Sequence, residues 1–504
     1  MAPAASTPRL FLAGVVTGCT GAATSAACAW ALGASTSPVA AVAASVRDLT
    51  PGPLAVHLVD LVGHLDKPLL LAGTTIVMLA LCGLAGVLAG VRRWRGQLLL
   101  LALGLLGLWA TSAQHHADAA AVLSVLVGLV TWLVVLPALV ADRTDVKADR
   151  GRRVFLLRAG VGIGASAAVV ALGRWAGQDS RAVTQARRML RLPVSSGMVP
   201  AGADLGVRGV PQWRTPSRVF YRVDTQLSPP SIDPSKWRLR IHGMVDHEVQ
   251  VDFRDLLDRR LHQAWVTLCC VSNPVGGDLV GNAWWSGVPV RQLLAEAGVH
   301  PGADAVKQTS WDGWTCGTPL SALTDGRNAL LAVAMNGMPL PVEHGFPVRM
   351  VVPGLYGYVS ATKWLVDLEV TRFDRFQGYW TRAGWSPRGP VKTQSRVDVP
   401  RDGQQVRAGS VAVGGVAWAQ HTGIEKVEYQ LDGRPWRRAR LGRVPDVDTW
   451  VQWSGEVRVD PGSHVLAVRA TDRSGYTQTA VQRGVLPDGA TGWHTVRFVA
   501  TSGS

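Results

Sequence analysis

The segment Thr267–Gly277, TLCCVSNPVGG, places a cysteine, Cys270, where an apolar run (Trp265, Val266, Leu268) gives way to a loop of small residues ending in Gly276 and Gly277. A thiol so placed can be held rigidly and face a cavity, with backbone close around it. The bland alternative is a buried core cysteine, the commoner fate of this residue type. Two further segments carry polar and basic groups between glycines and apolar runs: FYRVDT at Phe220–Thr225 and HGFPVRMVVPGLYGYVSATKW at His344–Trp364.

Taken together, in this order and spacing, the three segments resemble the sulfite oxidase family of molybdenum–pterin enzymes. The similarity runs from about Arg218 to Val496. It implies that Cys270 is the cysteine whose thiolate binds molybdenum, a soft ligand suited to a high-valent metal and bound deprotonated. Asn273 then shapes the pterin loop. Cys269 points to the opposite side of an extended segment and is structural. His344 and Arg349 hold the pterin and its phosphate, for which the arginine fork is well shaped. Ser360, Ala361 and Thr362 belong to a segment whose backbone cradles the cofactor, and Lys363 is its basic partner. Asp312 stands, across a gapped stretch, where relatives have an aspartate near the pterin. Arg222 matches an arginine at the mouth shared by substrate and cofactor. Here the chain departs from the family pattern: Val223-Asp224 follows that arginine where relatives have Asn-His. The loop after Cys270 also lacks an Arg-rich continuation. Fewer fixed positive groups near the metal weaken the case for a small dianion such as sulfite. Trp284, Trp285, Trp311, Trp314 and Tyr356 are candidates for a more apolar mouth, though aromatics are more often core.

These residues must be positioned by a mixed domain. WRLRIHGMV (Trp237–Val245) and VQVDF (Val249–Phe253) read as strands around a turn. Arg254–Arg260 and Val290–Ala297 have helical spacing. Ala305–Trp311, Phe346–Pro353 and Lys363–Phe373 read as further strands. Residues 216–378 are therefore expected to form an α+β domain with a mixed sheet. Beyond a Trp- and Arg-rich bridge (Tyr379–Lys392), the segments GSVAVGGVAWA, EKVEYQLDG, TWVQWSGEVRV and SHVLAVRATD alternate apolar and polar residues between turns. Residues 379–504 are expected to be an all-β sandwich, which the resemblance identifies as an immunoglobulin-like domain that mediates dimerisation in relatives. Residues 178–215 read as a polar linker.

The first third is different. Of 504 residues, 47% are hydrophobic and 17% charged, and the apolar excess is concentrated at the start. Five spans approach the length of a bilayer core: Leu10–Leu32, Leu69–Val91, Leu98–Ser112, Ala120–Val140 and Val154–Leu172. The third could extend to Ala117. Residues 1–177 thus read as an α-helical transmembrane bundle. Basic residues sit at Arg9, at Arg92, Arg93 and Arg95, and at Arg143, Lys147, Arg150, Arg152 and Arg153. The first connection has only Arg47 and Lys67, and the third has none. This asymmetry places everything after Leu172 outside the cytoplasm. Gly151–Leu157 (GRRVFLL) resembles a twin-arginine export signal. It suits a domain that folds around its cofactor before export, with the span kept as an anchor.

The net charge of +15 raises nucleic acid as a partner. Its basic residues flank apolar spans or are scattered, with no basic tail and no nucleic-acid-binding fold, so nucleic acid is excluded. The six cysteines offer no Cys-x-x-Cys, haem-attachment or zinc spacing. Outside the cytoplasm a Cys269–Cys316 bridge could form. Haem is a minor reading, resting on His57, His64, His115 and His116 near outer span ends.

The expectation is a multi-pass, membrane-anchored oxidoreductase of the extracytoplasmic side, with molybdenum–molybdopterin as cofactor. It transfers an oxygen atom at a sulfur or similar oxo substrate, by sulfite oxidation or S-oxide reduction. Its partners would be membrane lipid, a separate electron-transfer protein and a second copy bound through the C-terminal domain. The rivals are a membrane-tethered β-sandwich binding protein with a degenerate enzyme domain, motivated by Val223-Asp224, and a haem-binding electron-transfer subunit.

Overall fold

The computed structural model describes residues 7–34, 36–51, 54, 65–114, 119–140, 179–226 and 229–502. They fall into two compact units, one comprising Met1–Ala186 with Gln226–Ser231, the other Arg187–Thr225 with Ile232–Ser504. His57, His64, His115, His116, the Gly151–Leu157 motif and the span Val154–Leu172 lie outside the described residues.

In the N-terminal unit the helices are α1 (Thr7–Ala31), α2 (Pro38–Leu49), α3 (Asp66–Val91), α4 (Arg93–Ser112) and α5 (Ala119–Val140). All but α2 are long and apolar enough to cross a bilayer. Small residues set their packing. A Cβ on Gly14 of α1 would come within 2.0 Å of the Cys82 carbonyl of α3, so glycine allows the two backbones to touch. The Trp132 indole of α5 donates to the Gly18 carbonyl of α1 at 3.3 Å. Outward faces carry exposed Ile76, Val77, Leu105, Val130 and Val134. The helix matching the third expected span grows at its start rather than towards Ala117. Arg92 adopts an extended conformation (φ −144°, ψ 122°) that ends α3 and lets α4 begin at Arg93. The sequence pattern did not anticipate α2. Its start is fixed by Ser37, whose hydroxyl accepts the Ala40 N–H, and by Pro38 in the first turn.

The second unit contains four sheets. Strands β1 (Arg238–Gly243), β2 (Val249–Asp252), β3 (His262–Cys269), β4 (Val280–Pro289), β5 (Ala305–Ser310), β6 (Thr315–Pro319), β7 (Leu330–Met335), β8 (Met338–Pro339), β9 (Arg349–Val351) and β10 (Leu365–Thr371) make the first two. One has the order β2-β1-β10-β5-β6, with β1 and β10 parallel and the other pairs antiparallel. The other runs β3-β4-β7-β8, with β9 also pairing β7. Val290–Ala297 is a helix that buries Val290, Leu293, Leu294 and Ala297. Phe253–Asp258 is a second, opened by a capping box between Asp252 and Asp255. The mixed α/β domain expected from the sequence is therefore present.

The remaining strands are β11 (Gln394–Val399), β12 (Gln405–Arg407), β13 (Gly409–Trp418), β14 (Ile424–Leu431), β15 (Arg437–Arg438), β16 (Arg440–Leu441), β17 (Val451–Val459), β18 (Gly462–Asp472) and β19 (His494–Thr501). They form two sheets, β11-β13-β17-β16 and β12-β19-β18-β14-β15. Inward residues of both, among them Val413, Trp453, Val427, Leu466, Val468 and Phe498, share one core. The stretch 190–215 packs against the body of this unit. Trp213 is fully buried and its indole donates to the Trp450 carbonyl at 3.1 Å.

β3 is an edge strand of its sheet, yet it is buried from Ala264 to Cys269. Its outer side is covered by the C-terminal part of the chain, which removes an exposed edge. Thr267 donates its N–H to the Asp448 carbonyl (2.9 Å), and its carbonyl accepts from the Gln420 amide (3.1 Å). Its hydroxyl accepts the Trp450 N–H (2.8 Å) and donates to Asn282 Oδ1 (3.0 Å).

Candidate active site

β3 delivers Cys270 to the floor of an open cleft of about 850 Å³, mouth included. The loop that follows closes on itself. The Asn273 N–H donates to the Cys270 carbonyl (3.1 Å), its side-chain oxygen accepts the Leu279 N–H (2.9 Å), and the Cys270 N–H bonds the Leu279 carbonyl (2.9 Å). From behind, Arg396 donates to the Gly277 carbonyl at 2.7 Å. The His494 ring lies where a Cβ on Gly276 would meet it at 2.2 Å, and Gly276 sits at φ +78°. Only glycine satisfies both constraints. The neighbouring Cys269 faces the core, its thiol directed at the Cys270 carbonyl. Both thiols are free, as is Cys316, which contacts the Thr362 hydroxyl. The Cys269–Cys316 bridge is therefore not formed.

The opposite wall is the segment from Arg349 to Trp364. The Met350 N–H bonds the Thr362 carbonyl and the Leu365 N–H the Val348 carbonyl. These bonds lay residues 361–364 beside β9 and aim Lys363 into the cleft. Trp364, fully buried, then takes a left-handed φ of 51°. That conformation is costly for a bulky side chain and persists only where the surroundings impose it. Its indole is fixed by the Val342 carbonyl at 2.9 Å.

Of the residues the sequence singled out, Cys270, Asp312, Arg349, Ala361 and Lys363 line the cleft together. Asn273, His344, Ser360 and Thr362 stand behind this lining as buried supports. Ser360 donates to the Leu355 and Tyr356 carbonyls, and His344 Nε2 to the Ser217 carbonyl (3.0 Å). Arg222 lies beside the lining, 40% exposed, with its Nε 2.9 Å from Asp224. The residues that follow it, Val223 and Asp224, face the cleft instead. Of the expected aromatics only Trp314 lines it, while Trp285 and Tyr356 are buried in the body. Tyr221, Tyr358, Trp364, Trp380 and Trp385 form the aromatic walls instead, and Ser310 adds a hydroxyl. No sequence signal separated these aromatics from core ones. Trp380 and Trp385 lie in the bridge beyond the motif segments.

Burial dominates the electrostatics. It raises the Cys270 thiol above its ordinary value, opposed by hydrogen bonds from Ser272 and the charge of Lys363. Burial lowers Lys363 to about 8 although Asp224 pulls the other way. It lowers His344 to about 4, helped by the positive charges of Arg349 and Lys363. Arg349 is 4% exposed and brought down to about 10. Its guanidinium bonds only backbone carbonyls, those of Met350, His344 and Ala361, and lies 5.1 Å over the Trp285 ring.

These features suit a large anionic cofactor. A buried guanidinium with no carboxylate partner among the described residues calls for an external anion. The Ser310 hydroxyl, at the cleft, and His344 Nδ1, behind it, are buried without hydrogen-bond partners. Groups of three or more His, Cys, Asp or Glu side chains that could hold a metal do not occur among the described residues. A metal at Cys270 would thus take one protein thiolate and its other ligands from the cofactor.

Comparison with known proteins agrees with this geometry. Residues 226–380 match the oxidoreductase molybdopterin binding domain. The chain is 30% identical over 335 residues to sulfite oxidase of Gallus gallus, covering 56% of this chain and 72% of that protein. It is 36% identical over 157 residues to the uncharacterized oxidoreductase YuiH of Bacillus subtilis, covering 31% and 76%. Among solved structures it is similar to the sulfane dehydrogenase SoxCD of Paracoccus pantotrophus, with a TM-score of 0.47 and 22% identity over 58% of this chain and 80% of that one. The cleft with its single thiol, the matched molybdopterin binding domain and the coverage of the Gallus gallus sulfite oxidase lead to one conclusion: the chain belongs to the sulfite oxidase-like family of molybdopterin-dependent oxidoreductases.

Proposed function

We propose that this is a membrane-anchored molybdenum-cofactor oxidoreductase whose catalytic part faces the extracytoplasmic side and which transfers an oxygen atom at a sulfur or similar oxo centre. The observation that carries the reading is the free Cys270 thiol sharing one cleft with Arg349 and Lys363. The bound cofactor supplies two-electron redox chemistry coupled to exchange of an oxygen atom between water and substrate. The protein's own groups do the rest. Cys270 holds the metal as a thiolate. The Arg349 fork receives the cofactor phosphate by charge-assisted hydrogen bonds. Lys363 and the backbone of Ser360–Thr362 seat the pterin, with Asp312 across the cleft. Asn273 fixes the loop that presents the thiol, and His344, kept neutral by burial, steadies the turn before Arg349. Arg222, paired with Asp224 at the rim, is placed to orient the oxygen of an oxo substrate. The aromatic walls give the approach to the reacting centre an apolar lining.

Four long apolar helices among the described residues support the anchor; the orientation rests on the placement of basic residues together with the fifth expected span, Val154–Leu172, which lies outside the described residues. On this reading residues 1–177 are the membrane region, 178–215 a connector, 216–378 the catalytic domain and 379–504 an immunoglobulin-like sandwich through which two copies pair. Electrons pass to or from a separate carrier. The test is to purify the full chain from cells that make the cofactor, measure molybdenum and pterin, and assay sulfite oxidation against sulfoxide reduction with a redox dye. About one molybdenum per chain is expected from the single-thiolate site, and Cys270→Ser should lose both metal and activity. Full occupancy in that variant would reject the ligand assignment.

A further inference from the structure

We infer that Asp224 is a specificity-determining residue that fills, from within the chain, the place of a small oxyanion and so directs the cleft towards uncharged oxo substrates such as S-oxides. The inference rests on the oxygen-transfer reading above and narrows its substrate class. A single oxygen, Asp224 Oδ2, lies 2.9 Å from Arg222 Nε and 3.0 Å from Lys363 Nζ. Two cations from distant parts of the chain converging on one oxygen is the geometry by which a protein holds an external oxyanion. Here the oxygen belongs to the protein, and the Asp224 side chain is only 5% exposed.

The charge balance of the cleft follows. Its lining offers Lys363 and Arg349 against Asp224 and Asp312, and Arg222 beside it is paired with Asp224. Arg349 is the buried guanidinium reserved for the cofactor; the other two cations are matched by two carboxylates, so the cleft offers a substrate no net positive charge. Val223, exposed beside Asp224, and the walls of Trp314, Trp380 and Trp385 are apolar. A dianion entering would lose hydration and meet a fixed carboxylate. A neutral, polarised S=O group would meet apolar walls and the Ser310 hydroxyl, which is buried without a partner. A full charge at about 5 Å, with an effective dielectric near 20, alters the affinity for a dianion by well over tenfold.

The experiment uses the full-length holoprotein in detergent at about pH 6.5, where Lys363, with its pKa of about 8, is protonated. Sulfate is the inert dianion and dimethyl sulfoxide the neutral probe. Binding is read by quenching of tryptophan fluorescence and by competition with turnover, at constant ionic strength. For the parent protein the expectation is a sulfate Kd above roughly 10 mM, weaker than for the neutral probe. In Asp224→Asn, which keeps size and hydrogen bonding, sulfate should bind at least about tenfold more tightly while dimethyl sulfoxide shifts by less than about twofold. Tight sulfate binding by the parent would overturn the inference whether or not the variant folds. So would equal sulfate affinity in parent and variant. Molybdenum content is measured on each sample, so a failure of the cofactor assignment is seen separately from a failure of the charge argument.

Discussion

Replacing Thr267 by valine removes one oxygen and changes little else. The residue is 1% exposed, so the added methyl fills the space the hydroxyl held and opens no cavity. Two buried groups lose their partner: the Trp450 N–H, 2.8 Å away, and Asn282 Oδ1, at 3.0 Å. An unsatisfied buried group costs about 1–3 kcal/mol, while a buried methyl returns about 0.8 kcal/mol. The net loss should be about 1–5 kcal/mol. For a folded unit of this size, at roughly 2 °C per kcal/mol, the melting temperature should fall by about 2–10 °C. Thr267→Ser is the control. It keeps both hydrogen bonds and loses one methyl, for about 1 kcal/mol. The assay is thermal unfolding of the full chain in detergent, followed by tryptophan fluorescence, with molybdenum retention measured after gentle heating. Thr267 is on the strand that ends one residue before Cys270, so metal should be released from the valine variant at lower temperature. A valine variant melting within about 1 °C of the parent, or a serine variant as unstable as the valine one, would refute the view that this hydroxyl ties the C-terminal sheets to the metal-bearing strand.

Acid should destabilise the catalytic unit. His344 and His494 are both lowered to about 4 by burial, so as pH falls from about 6.5 towards 4 the unfolded chain takes up protons that the folded one refuses, and stability drops across that window. Denaturant titrations at pH 7 and 5 will test this; equal stability at both would contradict it. Gly276→Ala should lower molybdenum content severalfold, because its Cβ would collide with the His494 ring at a φ of +78°. Pairing it with His494→Ala removes the collision but not the backbone strain, so metal content should recover only in part.

Much of the site could be read in advance because its chemistry sits in short contiguous segments. Cys270, Arg349 and Lys363 each lie in a motif whose local pattern sets which way they face, and the structure brings all of them to one cleft. The supports behind them were harder to place. His344 was assigned to the pterin with Arg349, but it turns its Nε2 to the Ser217 carbonyl. The aromatic candidates divide between cleft and core: Trp314 lines the cleft, and Trp285 and Tyr356 are core, the commoner place for aromatics. Trp284, Trp285, Trp311 and Tyr356 lie near the motifs in sequence, but alternation along the strands and packing behind the loop turn them away. Trp380 and Trp385 arrive from a bridge with no period of its own. Arg396 and His494, which brace the loop after Cys270, come from sheets distant in sequence, and a single sequence carries no signal for such pairing. In the helical unit four of the five expected spans fall on long apolar helices and the fifth lies outside the described residues, while the break at Arg92 depended on a single backbone conformation.

The covering of β3 also sets an order of events during synthesis. Gln420, Asp448 and Trp450, which shield the outer side of this strand, are translated long after Thr267. Contacts so remote along the chain form late. Until then a nascent chain presents a bare strand edge that ends in a reactive sulfur. A chain that stops short of residue 420 would lack all three of these partners, leaving the outer side of β3 and the loop it leads into without the hydrogen bonds that hold them.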